Sequence, residues 1–190
     1  MLVLIGPSAS GKTEVAKKLI MQYGMKKLIT YTTRIPRPGE KDGVDYHFVS
    51  PEQFNAMKKA GEFIETTYYN HNYYGSRIKD VNINKVVVLD PNGLNLFNKT
   101  FGLKIVSIFL ETPEDIRIKR MRRRGDSEDE IKRRIKNDSI LFNRYNINKL
   151  DRIVRNATVD LDILTADIYQ YYQNNLALRT VKSDSKEDIL

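Results

Sequence analysis

The chain has 190 residues and no cysteine. That excludes a disulfide framework, a thiol nucleophile, and any zinc or iron–sulfur centre built on thiolates. Histidine is nearly missing as well: only His47 and His71 are present, so no multi-histidine metal site is expected. No apolar run approaches the roughly 18 residues of a membrane-spanning helix, and the mean hydropathy is −0.50. The opening MLVLIGPSAS has too short an apolar stretch for a signal peptide and lacks a basic leader. A soluble cytoplasmic protein with no membrane partner is the expectation. With 41% hydrophobic residues in one domain-sized chain, a core can form without a metal or disulfide staple.

Acidic residues are in deficit, and the net charge is +8. The excess is local. Residues 117–136 hold ten Lys/Arg and four Asp/Glu, a net of +6, which leaves about +2 for everything else. A nucleic-acid binder and a phosphate-handling enzyme both predict such a cluster, so charge alone does not choose between them.

No internal repeat or low-complexity stretch is present. Residues 1–5, MLVLI, read as a buried strand ending at Gly6. From Lys12 to about Tyr23 the apolar residues Val15, Ala16, Leu19 and Ile20 recur at helical spacing. Strand, glycine-rich turn and helix open an α/β unit. Near-continuous apolar runs at 85–89 and 104–110 predict further strands of a parallel sheet covered on both faces, and 151–155 is a weaker candidate. One helix is expected with Thr112 as N-cap and Pro113 in its first turn, another from the capping-box pattern Ser127-Glu128-Asp129-Glu130. The basic segment thus reads as a helix–turn–helix excursion. A last helix is expected over 160–178, followed by a frayed tail, SDSKEDIL. Residues 33–82 differ from the rest. Proline-rich at first, then tyrosine-rich, they predict short antiparallel strands and one helix capped at Ser50, inserted at the edge of the core.

Gly6-Pro7-Ser8-Ala9-Ser10-Gly11-Lys12-Thr13 satisfies GxxxxGK[ST], the phosphate-binding loop. Glycines let the backbone wrap so that successive N–H groups face the phosphates, and the following helix adds its positive end. Lys12 reaches the outer phosphates and the Thr13 hydroxyl can ligate Mg²⁺. A plain Gly/Ser turn would match the pattern too, but the strand–loop–helix context favours a nucleoside triphosphate. A second constellation is YTTRIPRPGE at 31–40 with GVDYHFVS at 43–50. Arg34 and Arg37, stiffened by prolines, can present two guanidinium forks to one phosphate, with Tyr46 adding a hydroxyl. A solvated Pro-rich loop fits these residues equally well.

These two motifs, with FIE at 63–65 and NYYGS at 72–76, resemble the guanylate kinases in order and spacing. The likeness covers essentially the whole chain, most strongly residues 3–77. It implies an α/β fold: a P-loop NTPase three-layer core with a parallel sheet, a small mixed β/α nucleotide-monophosphate-binding insertion, and a helical lid. The implied division is 1–32, 83–116 and 135–190 for the core, 33–82 for the GMP-binding part, and 117–134 for the lid. The implied reaction takes the γ-phosphoryl of ATP to GMP, and to dGMP, with Mg²⁺. Carried over residue by residue, the resemblance puts the acceptor phosphate on Arg34, Arg37, Tyr46 and Tyr74. It puts guanine near Thr30, Glu65 and Ser76, and assigns Asp90 to the GMP side and, with Thr13, to the metal. ATP falls to Gly6, Ser8, Ala9, Ser10, Gly11, Lys12, Thr13 and Asn156. The residues assigned to catalysis are Lys12, Arg37, Arg120, Arg124 and Arg134, the last three as lid arginines that neutralise charge on the transferred group. Arg122, Arg123 and Arg133 have no matched role and read as a solvated helix face.

The chain departs from the family pattern at Val88, where the first of two aspartates bracketing one residue is usual, and at Ala157, where an acid is common. Two other readings follow: a relative acting on another phosphorylated acceptor such as ribose 1,5-bisphosphate, and a non-catalytic guanylate-kinase-like module. Intact Lys12, Thr13 and lid arginines argue against the second. The partners expected from the resemblance are therefore ATP and GMP, with no nucleic acid, in a monomer or homodimer.

Overall fold

Alternation along the first strand divides the core in two. In the computed structural model, which describes residues 1–69 and 71–187, β1 (Leu2–Ile5) is fully buried. Leu2 and Leu4 pack with Val15 and Leu19 of α1 (Lys12–Tyr23). Val3 and Ile5 join a second cluster with Leu28. Period-two side chains on a strand covered from both sides require this split. After α1 come β2 (Lys26–Lys27), β3 (Tyr31–Thr32), β4 (His47–Phe48), α2 (Pro51–Lys59), β5 (Phe63–Tyr69) and β6 (Asn72–Arg77). The chain returns through β7 (Lys85–Val88), α3 (Pro91–Phe101), β8 (Val106–Glu111), α4 (Glu114–Arg123), α5 (Glu128–Leu141), β9 (Arg152–Arg155) and α6 (Leu161–Glu187).

The core sheet has strand order β2-β7-β1-β8-β9 and every pairing is parallel. α1 and α6 cover one face, where Leu164, Ile168 and Tyr172 meet the Leu2/Leu4 cluster. α3 covers the other with Leu94 and Phe97. Helix, sheet, helix: the expected three-layer core is present, and each fully buried Leu or Phe contributes about 1.5–3 kcal/mol to it. The loop after β1 emerges between β7 and β8, at the carboxyl end of the sheet where open α/β sheets bind ligands.

Local signals hold for most elements. Ser50 and Gln53 form a complete capping box on α2, and Asp160 caps α6 by accepting from Asp162 N and Ile163 N (2.8 and 3.2 Å). Three of the expected helix ends need correction. Thr112 does not cap α4; Pro113 holds that position, because the Thr112 hydroxyl donates to the Asn156 and Ser10 carbonyls (3.0 and 3.2 Å). At α5 only half the capping box forms: Ser127 Oγ accepts from Glu130 N, while the Glu130 carboxylate turns to Arg134. α6 runs to Glu187 rather than ending at 178, so five residues of the expected frayed tail are helical and the last three lie outside the described residues.

Residues 31–77 supply a second sheet, β4-β3-β6-β5. β6 is antiparallel to both β3 and β5, as expected, but β3 and β4 are parallel. α2 covers this sheet through Phe54, stacked on Phe63 (4.5 Å) and Tyr73 (5.4 Å). Tyr68 and Tyr73 pack on each other at 4.8 Å. No helix among the described residues is long and apolar enough to cross a membrane.

Candidate functional site

Two glycines shape the loop between β1 and α1. Gly6 has φ +146°, and a Cβ there would meet the Leu110 carbonyl at 2.6 Å. Gly11 has φ +97° and begins α1; a Cβ there would run into the Asn156 amide. Only glycine suits both positions. Lys12 folds back over the loop, Nζ donating to Gly6 O (2.6 Å), Pro7 O (2.7 Å) and Ser10 Oγ (3.4 Å). Burial lowers its pKa from 10.5 to about 8; Asp138 opposes that shift and Arg117 adds to it.

Beside the loop is a cavity of about 450 Å³, lined by Lys12, Thr13, Arg120, Arg123, Arg124 and Asn156, with Val159 and Leu161 at its apolar side. Asn156 is 3% exposed and its amide donates to Ser10 O at 2.8 Å. Arg120 reaches Ala9 O (3.3 Å) and both oxygens of Asn156 (3.3 and 3.4 Å). Burial, then the neighbouring Arg123, pushes its guanidinium below the ordinary arginine value. Ser8 and Ala9 are half-buried and Ser10 is fully buried, with Ala9 at φ +59°. A cavity of about 390 Å³ along residues 144–153 shares no lining residue with this one.

The other two arginines expected in the lid are held by acids of their own segment. Arg124 grips both oxygens of Asp126 (Nε to Oδ1 2.7 Å). Arg134 donates twice to Glu130 Oε1 (2.6 and 3.1 Å) and stands 3.8 Å from Asp126. Arg122 pairs with Glu128 (2.6 and 2.9 Å) and Arg133 with Glu130 (3.6 Å), the solvated face expected of them. Arg123, expected on that face, lines the cavity instead.

On the second sheet the structure joins Arg34, Tyr46 and Tyr74. The Arg34 guanidinium lies over the Tyr46 ring at 5.4 Å and Phe48 at 5.8 Å, and the Tyr46 and Tyr74 rings meet edge-on at 6.0 Å. Glu40 organises the loop: both its oxygens accept from Arg34 Nη2 (2.7 and 2.8 Å), and Oε2 accepts from Arg37 N (2.8 Å). The Arg34 guanidinium, then the Arg37 amide, hold the Glu40 carboxyl below the usual range. The Arg37 side chain itself is exposed.

Glu65 and Ser76 are cross-strand partners on β5 and β6, and Ser76 Oγ donates to Glu65 Oε1 at 2.7 Å. Burial raises the Glu65 pKa; the Ser76 hydrogen bond lowers it, and the charge of Asp90 raises it again. Asp90 follows β7 and caps α3, Oδ1 accepting from Gly93 N at 2.7 Å. It stands beside the end of β1, since Leu89 N donates to Leu4 O. Val88, at the end of β7, is exposed. Thr30 is half-buried just before β3, its carbonyl accepting from His47 N (3.0 Å).

Sequence reasoning missed the Arg117–Asp138 pair, both buried, which reaches the loop at Ser8. A signal was present. Arg117 stands four residues before Met121 on the buried face of α4, and Asp138 seven after Ile131 on that of α5. Charges at core positions mark a pair, not a solvated run.

The sequence model of the guanylate kinase family matches residues 1–168. The guanylate kinase of Desulfotalea psychrophila is 36% identical over 146 residues, 72% of each chain. That of Wolbachia pipientis wMel is 31% identical over 172 residues, covering 86% of this chain and 85% of its own. The crystal structure of guanylate kinase from Anaplasma phagocytophilum superposes with a TM-score of 0.65 at 27% identity, over 92% of this chain and 84% of that one. With the loop, the cavity and the arginine-bearing second sheet in one chain, these likenesses establish that it belongs to the guanylate kinase family, the ATP:GMP phosphotransferases.

Proposed function

We propose that ATP enters the 450 Å³ cavity with its phosphates on the 6–13 loop, and that GMP lies on the second sheet. The observation that supports this best is Arg120, which joins α4 to the loop at Ala9 and to Asn156 on the cavity wall. Lys12 then leaves the Gly6 and Pro7 carbonyls for the outer phosphates. Arg34, Arg37, Tyr46 and Tyr74 take the acceptor phosphate, with Glu40 fixing the spread of the two arginines. Glu65 accepts from guanine N1–H and the exocyclic amine, a pair of donors adenine does not offer, and Thr30 and Ser76 flank the base.

The residues fit Mg²⁺. No cluster of three acids exists among the described residues to hold a cation alone. Mg²⁺ is typically held by substrate phosphates, water and one or two side chains, and Thr13 and Asp90 supply those. Bound there, the ion would screen the phosphate oxygens.

The division into core, GMP-binding part (33–82) and lid (117–134) follows from these roles, although β3 starts at Tyr31 and α5 continues to Leu141. Lid closure must trade Asp126 for phosphate at Arg124, and Glu130 for phosphate at Arg134. Phosphoryl transfer then needs positioning and cationic stabilisation, with water shut out. A cytoplasmic monomer or homodimer without a nucleic-acid partner completes the reading; light scattering in solution decides between monomer and homodimer.

A coupled ADP-release assay tests the assignment. Turnover with GMP and dGMP, none with AMP, CMP, UMP or ribose 1,5-bisphosphate, and loss with a chelator are the expected results. Comparable turnover with AMP would remove guanine recognition from Glu65.

A further inference from the structure

A loop that presents its N–H groups to phosphates has given one of them to a carboxylate. Asp138 of α5 accepts from Ser8 N at 2.8 Å and Ser8 Oγ at 3.2 Å, and from Arg117 Nη1 of α4 at 2.9 Å. Asp138 is 8% exposed and Arg117 7%. A bare carboxylate at this point would repel a triphosphate. Arg117 cancels that charge, so Asp138 can shape the loop without opposing the nucleotide. The Arg117 Nε has no hydrogen-bond partner among the described residues. Asp138 also supports the protonated state of Lys12.

We infer that Asp138 is a positioning residue for ATP: through Ser8 it holds the phosphate loop in its binding shape, and Arg117 neutralises it. This rests on the reading of the 6–13 loop as the ATP site. Two simpler roles compete with it. The pair could merely join α4 to α5, or Asp138 could occupy a place that phosphate needs.

The experiment compares the unchanged chain with Asp138→Asn and with the double variant Arg117→Met/Asp138→Leu. Calorimetry reads the Kd for MgATP, steady-state kinetics the KM for GMP, and a thermal melt the stability. Losing a charged hydrogen-bond acceptor at Ser8 should weaken MgATP about ten- to a hundredfold in both variants, with the GMP KM unmoved. The double variant, free of any unpaired buried charge, should melt near the unchanged chain yet bind MgATP weakly. Recovery of both melting and MgATP affinity in the double variant would reduce the pair to a structural tie and overturn the proposal. Tighter MgATP binding in either variant would overturn it in favour of competition. If the double variant does not fold, the near-isosteric Asp138→Asn decides: unchanged Kd refutes. An unchanged chain that binds no MgATP would refute the ATP reading, and this inference with it, whereas normal binding with insensitive variants refutes this inference alone.

Discussion

Binding of MgATP should draw a proton onto Lys12, and the number taken up can be computed from its surroundings. Three acceptors of the loop hold the amine, Asp138 and Arg117 act on it through their charges, and burial brings its pKa to about 8. Relative to 10.5 the ammonium is disfavoured by about 3 kcal/mol. A triphosphate alongside it reverses this, because an opposite charge favours the charged form. Free Lys12 is about half protonated at pH 8 and about one-tenth protonated at pH 9, so uptake should be roughly 0.1 proton at pH 7, 0.5 at pH 8 and 0.9 at pH 9. Affinity should then fall towards about tenfold for each further pH unit. Titration calorimetry in two buffers of different ionisation enthalpy counts the protons directly. The γ-phosphate is already ionised in this range, and Lys12→Met should abolish the uptake. Tight MgATP binding at pH 9 without proton uptake would refute the reasoning. The same shift carries a stability sign. The folded pKa lies below the unfolded one, so between about pH 8 and 10.5 the unfolded chain binds more protons and the ligand-free protein gains stability as pH rises.

Gly11→Ala should destabilise the chain by more than about 1 kcal/mol, because φ is +97° and the new methyl meets Asn156; a melting temperature equal to that of the unchanged chain would contradict the loop geometry. Glu65→Gln should erode the preference for GMP over AMP, measured as a ratio of kcat/KM values. In the unchanged chain the raised Glu65 pKa means that GMP recognition fades on acidification sooner than for an ordinary glutamate, visible as a rising GMP KM with the ATP KM steady. Arg37→Ala should raise the GMP KM and lower kcat while leaving MgATP binding alone; an effect confined to ATP would remove Arg37 from the acceptor side.

What was legible in the sequence is what neighbouring residues decide. The 6–13 loop, the buried strand β1 and the cap at Ser50 depend on groups a few positions apart, and all hold. The failures depend on groups far apart in the chain. Thr112 reads as a cap until the carbonyls of Ser10 and Asn156, which claim its hydroxyl, are brought beside it. The parallel pairing of β3 and β4 involves two residues on each strand, too few for any period to show.

The basic segment shows how a charge count conceals arrangement. Its net of +6 reads as one electrostatic feature, yet its arginines lie in distinct environments. Arg122, Arg124 and Arg134 lie where acids of the same segment meet them. Arg120 lies on the face turned to the phosphate loop and bonds its backbone. Arg117 lies on the buried face and needs a buried partner, which α5 supplies as Asp138. A uniform basic patch would attract any polyanion, with affinity falling steeply as salt rises. Here Asp126 and Glu130 already occupy Arg124 and Arg134. On the proposed reading, an anion delivered between them in fixed geometry would displace both acids together, and the arrangement would favour a held phosphoryl group over a phosphate backbone.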